Sequence, residues 1–156
     1  MAAGKVTVVA EAREDAVVEV EPARKSKLHR AAAEAAEVKF TNGHLSVTFA
    51  DLRTKVLRLP PKIQVTARIP AGGRVIVNSA TAEVSTRGHL SKVEVNTVNA
   101  RLDVLVDPGT VVNTDMSKIL GRVNVDPEIL QVPHRADATQ VVEVNAVRGR
   151  VNITTA

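Results

Sequence analysis

Three arginines stand at one place in a repeated frame. "NARLDV", "LGRVNV" and "RGRVNI" put Arg101, Arg122 and Arg150 each one residue before an alternating apolar segment. A guanidinium is a permanently charged fork that matches carboxylate, sulfate or phosphate. Repeated at the opening of successive strands, the three predict one exposed stripe. Like charges on neighbouring strands are unfavourable unless something counters them. The stripe therefore predicts either an anionic partner or local ion pairs with Asp103 and its neighbours.

Other chemistry finds less support. Asp103, Asp115 and Asp126 lie in or beside the repeats, where a glycosidase would need paired carboxylates. Acidic residues at strand ends are more often solvated turn residues. His29, His44, His89 and His134 are scattered, with no spacing that suits a metal. There is no nucleophile-elbow frame. Gly72-Gly73 lacks the lysine and the helix of a phosphate loop. The densest basic run, Ala23 to Arg30, reads as a solvated segment. No catalytic residue, metal ligand or cofactor is predicted, and the chain is expected not to be an enzyme.

The elements that would carry the stripe are short strands. "VIVNSATAEVST" begins at Val75, "VEVNTVNARLDV" at Val93, "VEVNAVRGRVNI" at Val142, and a looser copy, "VVNTDMSKILGRVNV", at Val111. Each half alternates with period two, as a half-buried strand does. Asn78, Asn96, Asn113 and Asn145 fill one slot, followed by a small residue, which is turn chemistry. The second strands start at Val84, Leu102, Val123 and Val151. Intervals of roughly 20 residues suit solenoid coils stacked about 4.8 Å apart. Such stacking predicts Val77, Val95, Val112 and Val144 as one inner row. Pro127 and Pro133 bracket a short extra strand at Ile129–Val132.

The first 70 residues differ. "KVTVVAE" and "AVVEVEP" are strands joined by a charged turn, and Asn42-Gly43 closes a hairpin of type I′. Ser26 to Glu37 reads as a short helix with Ser26 as its N-cap. Ile63, Val65, Ala67 and Ile69 alternate onto one face.

Composition agrees with an all-β chain. Valine is roughly one residue in six, more than twice its ordinary usage. A β-branched side chain suits a pleated sheet. There is no Cys, Trp or Tyr, and Phe40 and Phe49 are the only aromatics. Disulfides and thiolate chemistry are excluded. The net charge of +4 lacks the stacking aromatics of a single-strand nucleic-acid binder. No signal-like or membrane-spanning apolar run is present, so a cytoplasmic setting is expected, unless the chain is a piece of a longer or envelope-associated protein.

"GKVTVVAEAREDAVVEVEPA", "VKFTNGHLSVTF" and "IQVTARIPAGGRVIVNSATAEV" resemble the bacterial β-strand-repeat family known as putative adhesins, or toastrack domains. The resemblance spans essentially the whole chain. It implies a right-handed, solenoid-like all-β fold and a non-enzymatic role in envelope-stress or small regulatory systems. It implies no catalytic residue. Where the family has Ser-Gly-Asp turns, this chain has "TAE", "NAR", "LGR" and "RGR".

The sequence thus predicts one all-β domain over 1–156, with entry strands, helix and hairpin in 1–70 and repeat coils in 71–156. The predicted architecture is a right-handed β-solenoid with one short helix; an antiparallel β-sandwich is the alternative. The predicted role is a non-catalytic scaffold or protein-interaction module. A β-helix carbohydrate-active enzyme and an anion- or nucleic-acid-binding accessory are the alternatives. The last coil has no visible cap. Val151 and Ile153 are expected to form a sticky edge that meets a second copy across a two-fold axis, unless the final strand folds back beside the N-terminal strands.

Overall fold

A computed structural model describes residues 3–22, 36–48, 62–116 and 120–156. These residues form fourteen strands and one 3-10 turn, Arg135–Asp137. In chain order the strands are β1 (Ala3–Glu11), β2 (Val17–Pro22), β3 (Glu37–Thr41), β4 (His44–Thr48) and β5 (Lys62–Pro70). The second half supplies β6 (Gly73–Asn78), β7 (Thr81–Arg87), β8 (Leu90–Asn96), β9 (Asn99–Val106) and β10 (Val111–Asp115). It ends with β11 (Leu120–Val125), β12 (Leu130–Gln131), β13 (Gln140–Asn145) and β14 (Arg148–Thr155).

Two mixed seven-stranded sheets result. The first has the order β11-β14-β9-β7-β1-β5-β2 and the second β12-β10-β13-β8-β6-β4-β3. All pairings are parallel except β2 with β5 and β3 with β4. From β6 to β11 consecutive strands alternate between the sheets, because each corner holds only a few residues and a parallel neighbour cannot be reached by a tight turn. One apolar cluster runs between the sheets, from Val6 to Ile153. Its inner row Val6, Val84, Leu102 and Val151 is fully buried. Each valine so buried contributes about 1.5–3 kcal/mol over an exposed one.

The strand order corrects the expected edge. β13 and β14 do not end the stack. They insert between the β8–β9 pair and the β10–β11 pair. Val151 pairs with Leu102 on one side and Val123 on the other, and Ile153 lies between Val104 and Val125. Both are fully buried, so neither offers an edge. The reason is complementarity of pattern: the two most similar units, 49 residues apart, dock directly on each other. Nor does the last strand return to the N-terminal strands.

The expected valine row holds for three members. Val77, Val95 and Val144 are in register. Val112 is buried but sits opposite Gln140. Asn113 is displaced with it, pairing with Val141 rather than Asn145. The cause is corner length. Asn78 to Val84, Asn96 to Leu102 and Asn145 to Val151 each span six residues, whereas Asn113 to Val123 spans ten.

The Asn42-Gly43 hairpin forms as expected, with both residues at positive φ (51° and 77°). Of the helix expected over Ser26 to Glu37, residues 26–35 lie outside the described residues. Its predicted last residue, Glu37, instead opens β3. Among the described residues, no helix is long and apolar enough to cross a membrane.

Candidate interaction surface

The outer face of the first sheet carries one continuous row across all seven strands. It reads Glu21, Gln64, Lys5, Glu83, Arg101, Arg150, Arg122. The three arginines are thus direct cross-strand neighbours, in an order the chain does not follow. Arg150 lies between the other two because β14 lies between β9 and β11. All three are exposed. Arg148, two residues before Arg150 on the same face, adds a fourth charge.

Their local compensation is slight. Arg101 reaches Asp103 at 3.9 Å, with both side chains about half exposed. Among the described residues, Arg122, Arg148 and Arg150 make no ion pair. Beside this row runs a ladder of side chains. Asn124 donates to Asn152 at 3.1 Å, and Asn152 donates to Asp103 at 3.0 Å. Asp103 is therefore shared between an amide and a distant guanidinium.

The second sheet handles like charges differently. Glu94, Glu143 and Asp115 are also direct neighbours. Here cations are interleaved: Lys92 lies 3.7 Å from Glu94 and 3.3 Å from Glu143. Arg135 bridges Asp115 at 3.1 Å and Glu143 at 3.3 Å. Partial burial pushes the Glu143 carboxyl up, but hydrogen bonds from Asn145 and Lys92, with the Lys92 and Arg135 charges, outweigh it and hold it below the usual range. A smaller clamp at Arg13 binds Glu11 and Asp15, both at 3.0 Å, and that hydrogen bond holds the Asp15 carboxyl low.

The slot asparagines form a second ladder. Asn145 donates to Asn96 at 2.8 Å and Asn96 donates to Asn78 at 3.0 Å. Asn113 is not part of it. Its amide donates to the Val132 carbonyl at 2.9 Å and pins the segment after β12. These asparagines join strands and leave no free ligand set.

The three aspartates weighed as catalytic acids are not brought together. Asp103 lies on the first sheet, Asp115 on the second, and Asp126 in the turn after β11, where it accepts the Glu128 amide. His44 opens β4, His89 lies between β7 and β8, His134 precedes the 3-10 turn, and His29 lies outside the described residues. No cluster of three metal-ligating side chains occurs among the described residues. A shallow groove of about 470 Å³ crosses the strand starts, above the small residues Gly4, Ala82 and Ala100. Its charged lining is Lys5, Glu83 and Arg101, a single carboxylate between two cations.

The Asp103–Asn152–Asn124 ladder had a sequence signal that the asparagine slot obscured. "ARLDV", "GRVNI" and "GRVNV" align an amide or carboxylate two residues after each arginine. Arg148 and the Glu94–Glu143–Asp115 row needed the strand order to be seen.

No family model matches this chain. No curated protein matches it. Among solved structures, the crystal structure of a putative cell adhesion protein from Clostridium sporogenes ATCC 15579 is similar over 99% of this chain and 89% of its own, at 11% identity and a TM-score of 0.40. A likeness that loose carries no argument about this chain.

Proposed function

We propose that this chain is a non-catalytic interaction module whose contact surface for an anionic partner is the arginine row of the first sheet. The observation that carries the reading is the contrast between the two faces. Each carboxylate of the acidic row Glu94–Glu143–Asp115 is bridged by Lys92 or Arg135. The row Arg101–Arg150–Arg122, with Arg148 beside it, has one long contact to Asp103. Cross-strand repulsion costs a few tenths of a kcal/mol to about 1 kcal/mol per pair. A surface that retains it gains when an anion binds.

Strands that alternate between two sheets and stack in parallel favour a β-solenoid of the toastrack kind, with one coil inserted out of sequence order. The flat ladders of such a stack offer a surface rather than a pocket. The scattered aspartates favour the non-catalytic reading over a β-helix glycosidase.

Retention on immobilised polyglutamate at low salt tests the proposal. The wild-type protein should be retained and released as salt rises. The triple variant Arg101→Gln/Arg122→Gln/Arg150→Gln should elute near the void. Equal retention of the two would overturn the reading.

A further inference from the structure

The outer row of the first sheet begins with Glu21 on edge strand β2 and ends with Arg122 on edge strand β11. The second sheet has the opposite polarity. Its row Lys39, Ser46, Ile76, Glu94, Glu143, Asp115 begins with a cation on edge strand β3 and ends with an anion on β10.

Both ends of the stack are also apolar inside. At the β2–β3 end, Val18, Val20, Val38 and Phe40 pack on the core only in part. At the β11–β12 end, the inward-facing Val123 is 41% exposed, while Leu120 and Leu130 are 72% and 62% exposed. Edge strands of natural proteins are usually blunted by inward charges, prolines or bulges. β11 has none of these across its six residues. In β2 the one proline, Pro22, is the last residue, outside the stretch Val18–Glu21.

We propose that a second copy of this chain docks head to tail, with β11 of one copy pairing antiparallel with β2 of the next. The geometry is that of the sheet itself. β2 already runs antiparallel to β5, so repeating the copy along the sheet places β2 antiparallel to the preceding β11. The same displacement keeps the rows aligned. Arg122 meets Glu21, and Asn124 meets Glu19. Beneath them Val123 meets Val20, and Val125 meets Val18. On the second sheet the displacement brings Lys39 toward Asp115, which otherwise shares Arg135 with Glu143.

The contact is heterologous and does not close on itself, so it generates an open series rather than a dimer. Seven strands per copy at about 4.8 Å give an axial repeat of about 34 Å. This inference rests on the interaction-module reading only in supplying a partner for Arg122; Glu21 lies outside the anion-binding row.

Charge exchange across the contact tests it. Sedimentation velocity at rising protein concentration and low salt should show wild-type protein growing through successive oligomers. Glu21→Lys and Arg122→Glu should each reduce that growth at least tenfold in concentration. The double variant Glu21→Lys/Arg122→Glu should restore it, which a misfolded protein would not do. A wild-type protein that stays monomeric, a closed dimer indifferent to Glu21→Lys, or a double variant no better than the singles would each overturn the inference. Glu21→Lys is also run on polyglutamate. Lost retention of wild type with assembly intact removes the anion-surface reading alone, and retained binding with no assembly removes this inference alone.

Discussion

The Asn145 side-chain amide donates to Asn96 Oδ1 at 2.8 Å, across 49 residues of chain. That bond joins the two most similar segments of the sequence, and Asn96 passes it on to Asn78. Asn145→Ala leaves the Asn96 oxygen without its donor and should cost about 1–2 kcal/mol. In denaturant unfolding, Asn96→Ala and Asn145→Ala should be coupled, whereas Asn113→Ala and Asn145→Ala should add. Coupling in the second pair and not the first would restore Asn113 to the ladder.

Gly121 faces Gly149 across β11 and β14, and a methyl group at Gly121 would collide with the Gly149 carbonyl oxygen. Backbone cannot step aside as a flexible side chain does. Gly121→Ala should destabilise by about 1–3 kcal/mol, as overpacking does. An unchanged midpoint of chemical unfolding would show that β11 and β14 are not so closely paired.

Gln140 is 1% exposed and, among the described residues, neither polar atom of its amide has a partner. An unpaired buried amide costs about 1–3 kcal/mol. Gln140→Met keeps the volume and removes that cost, so it should raise the melting temperature. A lower melting temperature would mean that the amide is hydrogen-bonded.

Glu143 should contribute to the acid limb of stability. Its folded-state pKa lies below the ordinary 4.5, so its contribution is present above that pH and is lost as pH falls through the depressed value. Glu143→Gln should flatten the fall in melting temperature below pH 4.5. An equally steep fall in the variant would show that other carboxylates set the limb.

The strands were legible because alternation is local: the hairpin at Asn42-Gly43 stands where the pattern put it, and the second strand of every unit forms, although each begins three residues before the expected start, at Thr81, Asn99, Leu120 and Arg148. The order of the strands within each sheet was not. Pattern reports which residues face inward, but it is silent on which neighbour a strand takes when several present the same valines. Asn113 misled because "VVN" matches the slot by type, while the corner of six residues that the geometry demands excludes it. The arginine stripe was visible from its frame. Its sparse pairing, one long contact from Arg101 to Asp103, was not, since neutralisation depends on which strands lie beside it.

The row runs Arg101–Arg150–Arg122 only if β14 lies between β9 and β11, and that order can be measured directly. The chain has no cysteine, so engineered pairs report without background. Strands about 4.8 Å apart bring paired Cα atoms within disulfide range. Under mild oxidation Arg101→Cys/Arg150→Cys should cross-link and Arg101→Cys/Arg122→Cys should not. The reverse result, with Arg101→Cys/Arg122→Cys linked and Arg101→Cys/Arg150→Cys free, would mean that β9, β11 and β14 lie in sequence order and would contradict the account.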